Sequence, residues 1–159
     1  MVLMTISTKD ELQFLLHRAL EIEKDFESLS VWKGFVSISS KYRPTVITLA
    51  RDSHKHRLDL EKLLKKLNLE APTDEIPEET FDFDGMMDME ILQKIVENDQ
   101  IVADLYSELA EKTDSKLVAR LLGDENVSVF YDLLNRLVSD ENRHVKMVKS
   151  VSGDIVRVQ

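Results

Sequence analysis

Starting at Leu12, apolar residues return every three or four positions. Leu12, Leu15, Leu16, Ala19, Ile22, Phe26 and Leu29 share one side of a helix, with Glu23 among them. Thr8 and Glu11 stand just ahead of this run at the spacing of a reciprocal N-terminal cap. The pattern predicts a first helix to about Ser40, with a break near Gly34, where SLSVWKGFVSIS turns β-branched and small. Pro44 suits the first turn of a second helix, whose stripe is Val46, Leu49, Ala50, Ser53, His56, Leu60, Leu63 and Leu67, and which ends near Asn68. A third helix is predicted from Met89 to about Lys112, with Leu92, Ile95, Val96, Asp99, Val102, Ala103, Tyr106 and Leu109 inward. The fourth runs from about Ser115 to about Val151 and is broken at Gly123. The tail GDIVRVQ reads as a frayed end or a short docked extended piece.

Between the second and third helices, residues 69 to 88 hold two prolines, a glycine and dense acid. DEIPEETFDFD reads as a solvated linker. Extended, a segment of this length reaches about 60 Å, whereas helices of this size are about 36 Å long. The second and third helices therefore need not be antiparallel neighbours. The expected fold is all-α: one domain over 1–159, a four-helix bundle of two antiparallel hairpins joined by a long crossover between helices two and three.

Composition narrows the chemistry. The 30 acidic against 21 basic residues leave a net charge of -9, and no basic stripe offsets it, so nucleic acid is not an expected partner. The lack of cysteine removes disulfides, thiolate metal sites, Fe–S clusters and cysteine nucleophiles together. No run of about 18 apolar residues occurs, and MVLMTISTKDEL lacks a basic stretch followed by an apolar core. The chain reads as mature, soluble and cytoplasmic, with no membrane partner.

Each apolar stripe has a polar interruption near its middle. Glu23 and Asp99 are expected to point inward, whereas Glu21, with Arg18, Lys24 and Asp25, and Glu97, with Gln93, Lys94 and Asp104, occupy solvated faces. On the fourth helix Glu141 and His144 share a face at i, i+3. RDSHKH aligns with SDENRH, so that Asp52, Ser53 and His56 match Asp140, Glu141 and His144. Taken singly, an inward histidine is more often a hydrogen-bonded core residue than a ligand. Four helices offering buried acids and imidazoles at one level point instead to a shared divalent cation, since such groups cost several kcal/mol each when left unpaired. The candidate metal ligands are Glu23, His56, Asp99, Glu141 and His144. Asp52 and Asp140, each four residues before a histidine, are candidates to orient the imidazoles. His17 and His54 belong to helix edges, and Met86, Met87 and Met89 read as core filler at the entry of the third helix.

This arrangement resembles the ferritin-like superfamily, and within it rubrerythrin and related di-iron carboxylate proteins. Their pattern is an acid on helices one and three and Glu-x-x-His on helices two and four. Glu141 and His144 in DENRH match the fourth-helix motif in full, and ENDQIVADLYSELAEKTDSK is similar to the third helix of rubrerythrin. Two positions depart: Asp99 stands where the family has glutamate, and Ser53 replaces the bridging glutamate of helix two. An insertion near LLGDENVSVF lengthens the second half relative to the first. The resemblance implies a centre that binds iron, or else manganese or zinc, with one metal on Glu141, His144 and Asp99 joined by His56 or Glu23 the easiest to build. It implies a non-haem iron oxidoreductase acting on peroxide or oxygen, supplied with electrons by a separate donor protein. The alternative is a degenerate helical scaffold without metal that works through protein contacts. Trp32, Phe35, Val36 and Ile38 add more apolar surface than one stripe buries, which predicts a homodimer.

Overall fold

A computed structural model describes residues 5–27, 29–70, 83 and 85–152, without the side chains of residues 29–32 and 152. The described residues form six α-helices: α1 (Lys9–Asp25), α2 (Leu29–Ser37), α3 (Arg43–Leu67), α4 (Asp88–Lys112), α5 (Ser115–Leu122) and α6 (Val127–Ser152). A single 3-10 turn, Asp124–Asn126, separates α5 from α6. Among the described residues there is no strand, and the one extended pairing is an isolated bridge between Ile6 and Thr113. None of these helices is long and apolar enough to cross a membrane.

The helix ends follow local chemistry. Thr8 Oγ1 accepts the Glu11 amide at 3.2 Å and caps α1. Pro44 lies in the first turn of α3, and Asn68 ends that helix with φ 60°, the left-handed conformation that closes a final turn. Gly123, with φ 91°, makes the predicted break between α5 and the 3-10 turn. The predicted break near Gly34 falls elsewhere, between Asp25 and Leu29. There the amides of Phe26 and Glu27 step back to the carbonyls of Glu23 and Lys24, which tightens and stops the helix. The Glu27 side chain is turned onto Arg57 and His54 of α3. Gly34 instead lies inside α2, where a Cβ would overlap the Phe83 ring. Its missing side chain admits the chain that leads into α4.

The four long helices form a ring in which α1 touches α3 and α4, and α6 touches α3 and α4. Side-chain pairs give the directions. Glu23 meets Ser53 and His17 meets the Leu69 carbonyl, so α1 and α3 run antiparallel. Arg136 meets Asp59 and Arg143 meets Asp52, so α3 and α6 do likewise. Tyr106 meets Glu23, and the Lys112 carbonyl accepts the amide of Ile6, ahead of α1, which opposes α4 to α1. Leu69 sits by His17 at one end of the bundle, whereas Asp88 accepts from Ser39 at the other. The connection from α3 to α4 therefore joins opposite ends.

Along each long helix the inward positions alternate at three and four: Leu12, Leu16, Ala19, Glu23 and Phe26 on α1; Val46, Leu49, Ser53, His56, Leu60, Leu63 and Leu67 on α3. On α4 they are Leu92, Ile95, Asp99, Val102, Tyr106 and Leu109, and on α6 Phe130, Leu134, Leu137, Glu141, His144 and Val148. This is the seam of a left-handed bundle. The polar members of all four rows meet at its centre.

Several expected surface assignments change. Ile38, placed in the apolar patch, is 1% exposed and belongs to the core, because the short helix α2 ends at Ser37 and turns it inward. Val36 is 75% exposed and Phe35 half-buried, while the Trp32 side chain lies outside the described set. Lys24, expected on a solvated face, is buried in the last turn of α1. Met86 packs on the core as expected, but Met87, at the N-cap of α4, is exposed. Residues 71–82 and 84, which hold all of the acidic linker stretch except Phe83, and the tail GDIVRVQ lie outside the described residues.

Substituting Gly34→Ala tests the close approach of Phe83. Helix propensity alone would favour alanine by about 1 kcal/mol, but the overlap forces a shift that costs about 1–3 kcal/mol. The variant is expected to melt below wild type in a thermal scan. An unchanged or higher melting temperature would show that Phe83 does not require the glycine.

Candidate metal centre

Glu23, Asp99, Glu141, His56 and His144 are all inside the bundle, each 4% exposed or less. The five predicted ligands converge from four helices, and Glu21 and Glu97 are exposed as expected. Among the described residues, two groups emerge in which one ligand atom from each residue lies within 4.8 Å of the others: Glu23, His56 and Glu141, and Asp99, Glu141 and His144. Glu141 belongs to both. The second group is the expected core of Glu141, His144 and Asp99, while Glu23 and His56 form a separate group with Glu141 rather than completing that core. The geometry offers two triads, each with one imidazole, one private carboxylate and the shared Glu141.

The histidines are held in a common way. His56 Nδ1 faces Glu23 Oε2 at 3.0 Å and Glu141 Oε1 at 2.9 Å, while its Nε2 faces Asp140 Oδ2 at 2.9 Å. His144 Nδ1 faces Glu141 Oε2 at 3.4 Å, and its Nε2 faces Asp52 Oδ2 at 2.8 Å. The two rings stack at 5.9 Å with 25° between their planes. Asp52 and Asp140 do orient imidazoles, but not those of their own helices. Each aspartate reaches across to the neighbouring helix, because antiparallel packing sets residue 52 opposite 144 and 56 opposite 140.

Glu23 is the most heavily clamped carboxylate. Tyr106 donates to Oε2 at 2.6 Å and Ser53 to Oε1 at 2.7 Å, and all three side chains are buried. The sequence had placed Tyr106 on the inward stripe without a partner and Ser53 only as a missing ligand. Their donor role depends on contacts between helices, and no local motif signals it. His17, which bonds the Leu69 carbonyl, and His54, paired with Glu27 at 2.6 Å, stay at helix edges.

Burial and charge divide these groups. Burial by itself would lift the Glu141 carboxyl, but hydrogen bonds and charge from His144 and His56 hold it down at about 2. For His56, burial disfavours the cation, yet Glu141 and Glu23 push it up to about 11. His144 is likewise raised against its burial, by Glu141 and Asp52. Asp99 goes well above the usual carboxylate range because it is buried and lies against Glu141, and burial also raises Glu23. Without a metal the cluster therefore holds extra protons.

One atom stands outside this network. Asp99 Oδ2 is buried without a hydrogen-bond partner, a state that costs about 1–3 kcal/mol. In the triad with Glu141 and His144 this carboxylate fits a divalent cation, and oxygen and imidazole donors suit iron, manganese or zinc. The Nε2 contacts to Asp140 and Asp52 leave both Nδ1 atoms turned toward the carboxylates, the orientation a ligating imidazole needs. Comparison with family models, curated proteins and solved structures found no match.

The metal-free protein carries a specific pH dependence. His56 is raised from 6.5 to about 11, so its contribution to stability is fully present below about pH 6.5 and is lost as pH rises toward 11. Asp99, an acid raised on folding, shifts stability in the same direction above its ordinary value of 3.8. After chelation the melting temperature is expected to fall steadily from pH 7 to pH 10. A flat or rising profile would show that the two histidines are not held as cations by the buried acids.

Proposed function

We propose that this chain is a metal-binding helical bundle of the ferritin-like kind, with two ion positions sharing Glu141. The observation that carries the reading is the pair of buried triads with a common carboxylate, one of which contains the unpartnered Asp99 oxygen. The ring of four long helices, with its connection between opposite ends from α3 to α4, supports the ferritin-like topology. Oxygen and nitrogen donors without sulfur suit iron, manganese or zinc, and the ferritin-like reading puts iron first among them.

The residues divide the work. Glu23, His56 and Glu141 hold one ion, and Asp99, Glu141 and His144 hold the other. Tyr106 and Ser53 keep Glu23 in place by donating to its two oxygens. Asp140 and Asp52 fix the rings through Nε2. The surrounding Leu60, Val102 and Leu137 rows exclude bulk water. When iron is bound, it supplies electron exchange with oxygen or peroxide, and the non-haem oxidoreductase reading rests on that capacity. These 159 residues hold no cysteine pairs for a second redox centre of the rubredoxin type, so electrons would come from a donor outside this bundle.

A second reading has its own support. Ser53 occupies one oxygen of Glu23, and all four nitrogens of the two imidazoles already face carboxylates. Such a network could serve as a metal-free structural core in a scaffold acting through protein contacts. The two readings separate on metal content.

Protein purified without chelator and analysed for metals is expected to carry up to two divalent ions per chain. Glu141→Gln should remove both, whereas His56→Ala should spare the Asp99 triad and His144→Ala the Glu23 triad. Loading at 100-fold over the dissociation constant should stabilise wild type by about 2.7 kcal/mol for each site filled. Absence of metal, with a melting temperature indifferent to chelator, would favour the scaffold.

Uptake should also release protons, since Glu23, Asp99, His56 and His144 all have raised values that favour their protonated forms. Affinity is therefore expected to rise between pH 6 and pH 8, with buffer-dependent heats in calorimetry. Binding that weakens over this range would contradict ligation by these groups.

A further inference from the structure

The aspartates that hold the two imidazoles share a partner at the surface. Arg143 Nη2 lies 3.2 Å from Asp52 Oδ2 and 3.5 Å from Asp140 Oδ1. Asp52 Oδ2 is also the atom that faces His144 Nε2, and Asp140 presents its other oxygen, Oδ2, to His56 Nε2. Asp140 is thereby gripped at both oxygens. It cannot turn without losing either the imidazole or the guanidinium. The arginine side chain is 57% exposed, while the aspartates are 22% and 20% exposed and the histidines 1% each. One guanidinium on the outside is thus connected, through two carboxylates, to one ring of each triad.

We propose that Arg143 is a positioning residue that holds His56 and His144 together through Asp140 and Asp52, so that a single surface side chain sets the imidazoles of both triads. This rests on reading the buried cluster as a metal centre. Arg143 touches no ligand atom and acts only by limiting how the two carboxylates move. An exposed ion pair adds little to global stability. The effect of Arg143 therefore lies in the order of the rings, where loss of an aspartate's second anchor frees the carboxylate to leave its imidazole. Nothing local in DENRH signals this role, because it depends on a contact from α6 to Asp52 of α3.

The test compares full-length wild type, Arg143→Ala and Arg143→Lys. In metal-free protein, nitrogen-15 NMR follows solvent exchange of the two Nε2 protons. Arg143→Ala is expected to speed exchange at both His56 and His144 by about fivefold or more, as local opening becomes easier, with little change in melting temperature. Lysine keeps the charge between the aspartates and should restore most of the protection. With cobalt(II) as the probe, Arg143→Ala should weaken binding about tenfold, the low end of what loss of a group supporting metal ligands costs. Unchanged exchange at either ring, or a change at only one, would overturn the proposal. Failure of wild type to bind cobalt would overturn the metal reading alone, and the exchange rates would still decide the role of Arg143.

Discussion

Glu141 carries its charge at 1% exposure in the middle of the bundle, and the arrangement around it follows from that fact. Removing a carboxylate from water costs several kcal/mol unless cations or donors replace the lost hydration. His56 comes from α3 to one oxygen, and His144 comes from one turn along α6 to the other. The two imidazoles keep Glu141 ionised, with its carboxyl held at about 2, while the acids beside it, Glu23 and Asp99, are driven the opposite way. Charge is thereby concentrated on the one carboxylate common to both triads. A divalent ion would meet a preset anion there and displace protons from its neighbours.

The crossed pairing of the aspartates is a consequence of antiparallel packing. On a single helix, Asp52 is near enough to His56 to bond it, and Asp140 to His144. Inward-facing histidines point away from their own helix surface, however, and the flanking aspartates face the adjacent helix. With α3 and α6 running in opposite directions, the flank of each helix lies over the histidine of the other. The crossing also locks the register of α3 against α6. A slip by one turn would break both contacts at once and leave both buried Nε2 atoms without acceptors, so the polar centre makes the packing specific as well as chemically equipped.

Much of this was legible from periodicity. The inward rows on α1, α3, α4 and α6, the Gly123 break and the choice of Glu23 over Glu21 and of Asp99 over Glu97 all follow from which residues share a helix face with leucine and valine. That information is local, and a helix transmits it by its fixed turn angle. The break after Asp25 was not legible, because Gly34 is the stronger local signal and its actual use depends on Phe83, far along the chain. Ile38 and Lys24 were misassigned for a related reason: burial at the end of a helix depends on what packs over it.

The sequence also supplied the five candidate ligands, since hydrophobic periodicity requires them to lie inward whatever the partner helix. It could not say that Glu141 would be shared between two triads, that Tyr106 and Ser53 would grip Glu23, that each histidine would be held by the aspartate of the opposite helix, or that Arg143 would join both aspartates. These depend on distances between residues dozens of positions apart, and several alternative pairings satisfy the same helical pattern. Register and direction between packed helices choose among them. Both are set by how whole side-chain rows interlock rather than by any single segment.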